Sequence, residues 1–106
     1  MLNIYFVSIQ LCRDCAPLIK IIQRHDRNLA DQLRRAVTSI ALNIAESDGQ
    51  ADGNRRQRRL TALGSARESS ACLEIANALG YIEPLPSAIS NRLNQVSGTL
   101  VNLTRR

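Results

Sequence analysis

Between residues 28 and 46, apolar side chains recur at Leu29, Leu33, Ala36, Val37, Ile40, Ala41 and Ile44, in steps of one, three and four. That period gathers them on one side of an α-helix, which then has to bury that side against something else. Asn28 is placed to cap its start, with Asp31 where a capping-box acid reaches back, and Gly49 is an end signal. Residues 47–54 (SDGQADGN) are turn formers without periodicity and read as a loop. A further helix is expected from near Asn54 to Leu79, with Gly80 supplying the left-handed turn that closes it. Pro84 and Pro86 then break the chain and open a last helix, which carries Ile89, Leu93, Val96, Leu100 and Leu103 on one stripe. Upstream, Ile4, Leu11, Cys15, Leu18 and Ile22 fit a helical stripe, although residues 4–9 also suit a strand. Pro17 costs about 3 kcal/mol in a helix interior, so one kinked helix ending around His25 is expected. A chain of 106 residues holds a single core. Four helices on short connections therefore predict an all-α fold, an antiparallel up-down four-helix bundle, with residues 1–106 as one domain.

Charge narrows the function classes. The chain carries 14 Lys+Arg against 9 Asp+Glu, a formal net charge of +5, and every basic residue except Lys20 is arginine. That choice reflects either a GC-rich codon bias or a preference for the forked guanidinium, which suits phosphate and carboxylate better than a point ammonium does. Aromatics are only 3% of the chain, which counts against recognition by base stacking. The run Arg55-Arg56-Gln57-Arg58-Arg59 opens the expected third helix, where cations oppose the helix dipole and repel one another. Unless an anion meets it, the cluster is locally unfavourable. With Arg34 and Arg35 it is a candidate surface for the phosphates of RNA or DNA; the alternative is a solvated charged face neutralised by acids such as Asp48, Asp52 and Glu68. Residues 1–11 are apolar, but no basic residue precedes them and no cleavage site follows. No apolar run reaches the length of a membrane span, so a cytoplasmic protein with reduced thiols and no membrane partner is expected.

The third helix is apolar on two sides. Leu60, Leu63, Ala71, Ile75 and Ala78 share one face, and Ala62, Ala66, Leu73 and Ala76 lie almost opposite. A bundle of this size covers one side of each helix, so a helix of this kind predicts a homo-oligomer. Leu42, set against its own helix's stripe, joins Ala62, Ala66, Leu73 and Ala76 as the expected oligomer interface.

No constellation points to catalysis. Cys12-Arg13-Asp14-Cys15 superficially copies a thiol-disulfide oxidoreductase site, but that chemistry needs a helix N-terminus and a surrounding sheet. Two small apolar side chains one helical turn apart is the plainer reading, and Cys72 reads as core filler. A zinc site finds no paired spacing among Cys12, Cys15, Cys72 and His25. Glu46, Glu68 and Glu74 lack the Glu-x-x-His partner that di-metal bundles use. The sequence therefore predicts no enzyme, metal, cofactor or small-molecule substrate.

Gln32-Leu33-Arg34-Arg35-Ala36-Val37-Thr38-Ser39-Ile40, running into Asn43-Ile44-Ala45-Glu46, resembles the second helix of the four helix bundle protein family. That family includes proteins encoded by intervening sequences in bacterial large-subunit ribosomal RNA genes, and the accessory protein of diversity-generating retroelements is a relative. Ala62-Leu63-Gly64-Ser65-Ala66-Arg67-Glu68 is similar to its Ala-x-Gly-Ser-x-x-Glu run, and Leu79-Gly80-Tyr81-Ile82 to its closing signature. The likeness is strongest over residues 28–83. It implies an antiparallel bundle that assembles as a ring, typically a homopentamer, without catalytic residues and with a basic surface suited to nucleic acid that includes Arg34 and Arg35. The physics of the shared residues can be read separately. Asn43 and Glu46 share a helix face, and a Glu near a helix C-terminus opposes the dipole. Glu46 is therefore expected to pair with Arg67 or Arg35, and Asn43, Glu46, Arg67 and Glu68 to fix helix register as structural polar groups.

Overall fold

In a computed structural model of the chain, which describes residues 2–106, four helices follow one another: α1 (Asn3–Gln23), α2 (Arg27–Ser47), α3 (Asp52–Ala78) and α4 (Ser87–Thr104). Short connections make successive helices antiparallel, and each helix packs against its neighbours in order, with α4 returning to α1. The α2–α3 contact is the most extensive and the α4–α1 contact the least. The core runs the length of the bundle through Leu11, Ile22, Leu33, Ile40, Ile44, Leu73, Val96 and Leu100, all fully buried. No helix among the described residues is long and apolar enough to cross a membrane.

Local chemistry explains the boundaries. Residues 3–11 continue the first helix rather than forming a strand, because Ile4, Ser8, Leu11 and Cys15 bury on one face at helical spacing. Pro17 lies inside α1 on its exposed side, where its missing amide cannot bond the Arg13 carbonyl and its ring faces away from the core. The turn between α1 and α2 is tighter than expected. Asp26, not Asn28, caps α2: its carboxylate accepts from the Leu29 amide at 3.0 Å, while its own amide donates to the Ile22 carbonyl at 2.8 Å. One residue thus closes α1 and opens α2. The loop after α2 is shorter than the turn-forming sequence suggested, because Asp52, Gly53 and Asn54 already belong to α3.

The end of α3 follows its signature. Gly80 has φ +79°. The Tyr81 amide donates to the Ala76 carbonyl at 2.8 Å and the Gly80 amide to the Asn77 carbonyl at 3.0 Å, the paired bonds of a Schellman motif. Of the α4 stripe, Ile89, Leu93, Val96 and Leu100 are buried, whereas Leu103 is 37% exposed, because the helix ends one residue later.

Candidate functional site

Antiparallel order places the N-terminus of α3 beside the C-termini of α2 and α4. This resolves the electrostatic puzzle of the arginine run. Arg55 donates from Nε to the Ser47 carbonyl at 3.3 Å and from Nη2 to the Gln50 carbonyl at 3.0 Å, capping the end of α2. Arg56 donates from Nε to the Thr104 carbonyl at 2.9 Å, capping the end of α4. These two guanidiniums, which oppose their own helix dipole, therefore meet the negative ends of neighbouring helices. Arg58 leaves the collar sideways: its Nη1 lies 2.8 Å from a Glu46 carboxylate oxygen and 3.3 Å from the Asn43 side-chain oxygen. Arg59 is half-buried, and its Nε is shut off from solvent without a hydrogen-bond partner.

These bonds correct the expected pairing of Glu46. Its partner is Arg58, in the second turn of α3, because Glu46 near the end of α2 is level with the beginning of α3 rather than with its middle. Arg67 and Glu68 are both exposed and form no hydrogen bond or ion pair among the described residues, so they do not fix register. Asn43 does: it is 9% exposed, its amide donates to the Ser39 carbonyl at 2.9 Å and to Ser39 Oγ at 3.0 Å, and the Ser39 and Ser65 hydroxyls join α2 to α3 at 2.8 Å. Arg34 and Arg35 are exposed, with Arg34 held 2.8 Å from the Asp31 carboxylate.

The expected interface residues of α3 are also corrected. Ala62, Ala66, Leu73 and Ala76 are completely buried within the single chain and cannot meet a second copy. The face read as external is therefore part of the core, with Leu73 its bulkiest member. Of the face read as internal, Leu63 is buried, but Ile75 is 47% exposed and Leu79 just beyond α3 is 58% exposed. Leu42, 61% exposed, does face outwards.

The thiols are not activated. Cys12 lies well inside α1, half-buried, with Sγ 3.8 Å from the Val37 carbonyl. Burial pushes its pKa up and outweighs the opposing pull of Arg13. Burial, reinforced by the Asp14 charge, pushes Cys15 up to about 12, and Cys72 is raised by burial and by Glu68. A reactive thiolate needs the opposite shift and a helix N-terminus, and Cys12 has neither. His25 stacks on Tyr81 across the top of the bundle, ring centroids 4.9 Å apart. No group of three metal-ligating side chains converges among the described residues.

The cations left over lie elsewhere. Lys20, Arg24 and Arg27 surround the α1–α2 turn, all exposed and without an acid in ion-pair range among the described residues. They line an open cleft together with Gln23. A second cleft continues from it between α1 and α2, with Lys20 and Arg34 on its walls and Cys12, Ile19 and Val37 among the residues beneath. The sequence hid this patch because its members are spread over fifteen residues and meet only when the chain reverses. The Lys20–Arg24 spacing of four was the one available signal.

Comparison with known proteins agrees with this architecture. The sequence model of the family described as 23S rRNA-intervening sequence protein matches residues 1–102. The crystal structure of a protein of unknown function from the S23 ribosomal protein family of Bacteroides thetaiotaomicron superposes with a TM-score of 0.85 at 21% identity, covering 97% of this chain and 99% of that one. No curated protein matches the sequence. At that identity the structural likeness speaks for the fold.

Proposed function

The chain belongs to the 23S rRNA-intervening sequence protein family, and from that premise we propose that it is a non-enzymatic, homo-oligomeric four-helix bundle of the cytoplasm that binds RNA or DNA through an arginine-rich surface. The observation that carries this reading is the excess of exposed cations without acidic partners among the described residues, of which Lys20, Arg24, Arg27 and Arg35 lie on α1, α2 and the turn between them. Such a surface attracts a polyanion by releasing its counterions, with little regard to sequence. Assembly into a ring, a pentamer as the family resemblance implies, repeats the surface and multiplies its contacts. Leu42, like Phe6, Ile75 and Leu79, is an exposed apolar residue available to that assembly.

Of the six arginines expected at the interface, Arg55 and Arg56 cap helix ends and Arg59 tucks its Nε inside; Arg34, Arg35 and Arg58 are exposed, Arg58 in a surface pair with Glu46. Replacing Arg56 by Ala should therefore lower stability by about 1 kcal/mol and speed amide exchange in the last turn of α4, a result read by hydrogen-exchange mass spectrometry. Unchanged exchange there would remove the capping role.

The engagement of Arg55, Arg56 and Arg58 inside the chain favours a second reading, a structural or protein-interaction module whose arginines serve assembly alone. Fluorescence anisotropy with labelled single- and double-stranded RNA and DNA, titrated with salt, separates the two. Binding at low salt that weakens steeply as salt rises is expected. A folded protein that binds none of the four probes would leave the interaction module standing.

A further inference from the structure

We infer that the groove between α1 and α2, with Lys20, Arg24, Arg27 and Arg34 on its walls, is the track for one nucleic-acid backbone. This rests on the nucleic-acid reading above and names the place where contact is made. The two walls carry separate rows of cations. Lys20 and Arg24 are one turn apart on or just past α1, about 6 Å along it, and Arg27 and Arg34 are two turns apart on α2, about 10.5 Å. The helices are antiparallel and the two clefts share Lys20 and Gln23, so they adjoin along the α1–α2 groove with one row on either side. A single phosphodiester strand laid along it meets cations alternately from either side. Among these four, only Arg34 has an acidic partner, Asp31, and that pair is exposed, with both side chains more than half accessible; exposed pairs of this kind hold weakly.

The shape selects the partner. Between the rows the groove is lined by Cys12, Ala16, Ile19 and Gln23 from α1 and by Val37 and Thr38 from α2. It has no aromatic ring on which a base could stack, so the contact is to backbone and indifferent to base identity. An anionic membrane surface fits less well. Peripheral helices insert exposed aromatic or aliphatic side chains next to their cations, whereas Phe6 lies near the far end of α1 and Ile21 lines a different pocket with Tyr81, Ile82 and Leu85.

The test compares two variants of equal net charge. In one, Lys20, Arg24 and Arg27 are all changed to Gln; in the other, Arg67, Arg105 and Arg106 are. Each is titrated against a fluorescein-labelled twenty-nucleotide single-stranded RNA and the matching DNA over a range of salt. All six positions are exposed, so both variants should fold, which circular dichroism checks. The groove variant should lose at least tenfold in affinity at low salt. Its log–log salt slope should shrink by about 2, from about 0.7 per lost phosphate contact on a single strand. The other variant should stay within about threefold of wild type with its slope unchanged.

An independent readout uses Cys12, which sits in the groove. At pH 9 a saturating concentration of the same RNA should slow its alkylation severalfold. Equal loss in both variants, or no protection of Cys12, overturns the groove while leaving nucleic-acid binding intact. Wild-type protein that ignores both single strands, whether or not it sediments with phosphatidylserine vesicles, overturns the groove as a strand track, and the nucleic-acid reading falls with it only when both duplex probes are ignored as well.

Discussion

Replacing Leu73 by Ala should lower the free energy of unfolding by about 2–5 kcal/mol, a large part of the roughly 5–15 kcal/mol that a small domain has. Leu73 is fully enclosed by the chain's own helices, so the substitution removes buried methyl groups and leaves a cavity between packed elements. The loss should be the same at every protein concentration. Leu42→Ala supplies the contrast. Leu42 is 61% exposed within one chain, so its truncation should cost a dilute protein less than about 0.5 kcal/mol. Any larger effect should appear only at concentrations where copies associate. Urea unfolding of both variants across a hundredfold dilution reads the difference. A Leu73 effect that vanished on dilution would return that residue to an interface and undo the assignment of α3's inner face.

Alkaline pH should destabilise the fold through Cys15. Its folded-state pKa is raised from 9.0 to about 12 because burial, with the Asp14 charge beside it, disfavours the thiolate. The unfolded chain therefore releases this proton near pH 9 while the folded chain keeps it. The contribution is fully present below pH 9 and is lost as pH rises toward 12. Within that window stability should fall by about 1.4 kcal/mol per pH unit from this group alone. Cys12 and Cys72, also raised by burial, steepen the decline. Urea midpoints measured in reductant from pH 7.5 to 11 should show the slope, and Cys15→Ala should flatten it. Identical slopes in the two proteins would mean that the Cys15 thiolate is tolerated in the core.

Both expectations concern buried faces, and that is where one-dimensional reading divides. The rotation of α2 was legible because its large apolar residues Leu29, Leu33, Val37, Ile40 and Ile44 share one face and the charged Arg34, Arg35 and Glu46 lie off it, so only one face could turn inwards. The rotation of α3 was not. Alanines occupy both of its apolar sides, and the choice between them depends on how closely α2 and α4 approach, which no single helix encodes. The pairing of Glu46 failed for a related reason. Residues opposite one another in an antiparallel pair are fixed by loop length, and α3 begins at Asp52 rather than Asn54, which lengthens its first turns at the level of Glu46. The cationic run at 55–59 was visible as a run, but its purpose depends on which helix ends lie nearby. By contrast, Gly80, Pro84 and Pro86 act through their own backbone geometry, and the junction from α3 to α4 followed from them directly.

The seam between α4 and α1 sets the order in which the molecule can assemble. The joins α1–α2, α2–α3 and α3–α4 each bring together segments adjacent along the chain, which close quickly because little loop entropy is lost. Only the α4–α1 contact, pinned where Arg92 donates to Asp14 at 2.5 Å, links the two ends of the sequence. It is also the least extensive of the four. A chain emerging from the ribosome can therefore build three of its seams as it lengthens. The last waits for α4, and until Arg92 reaches Asp14 the apolar stripe of α1 stays open along that side.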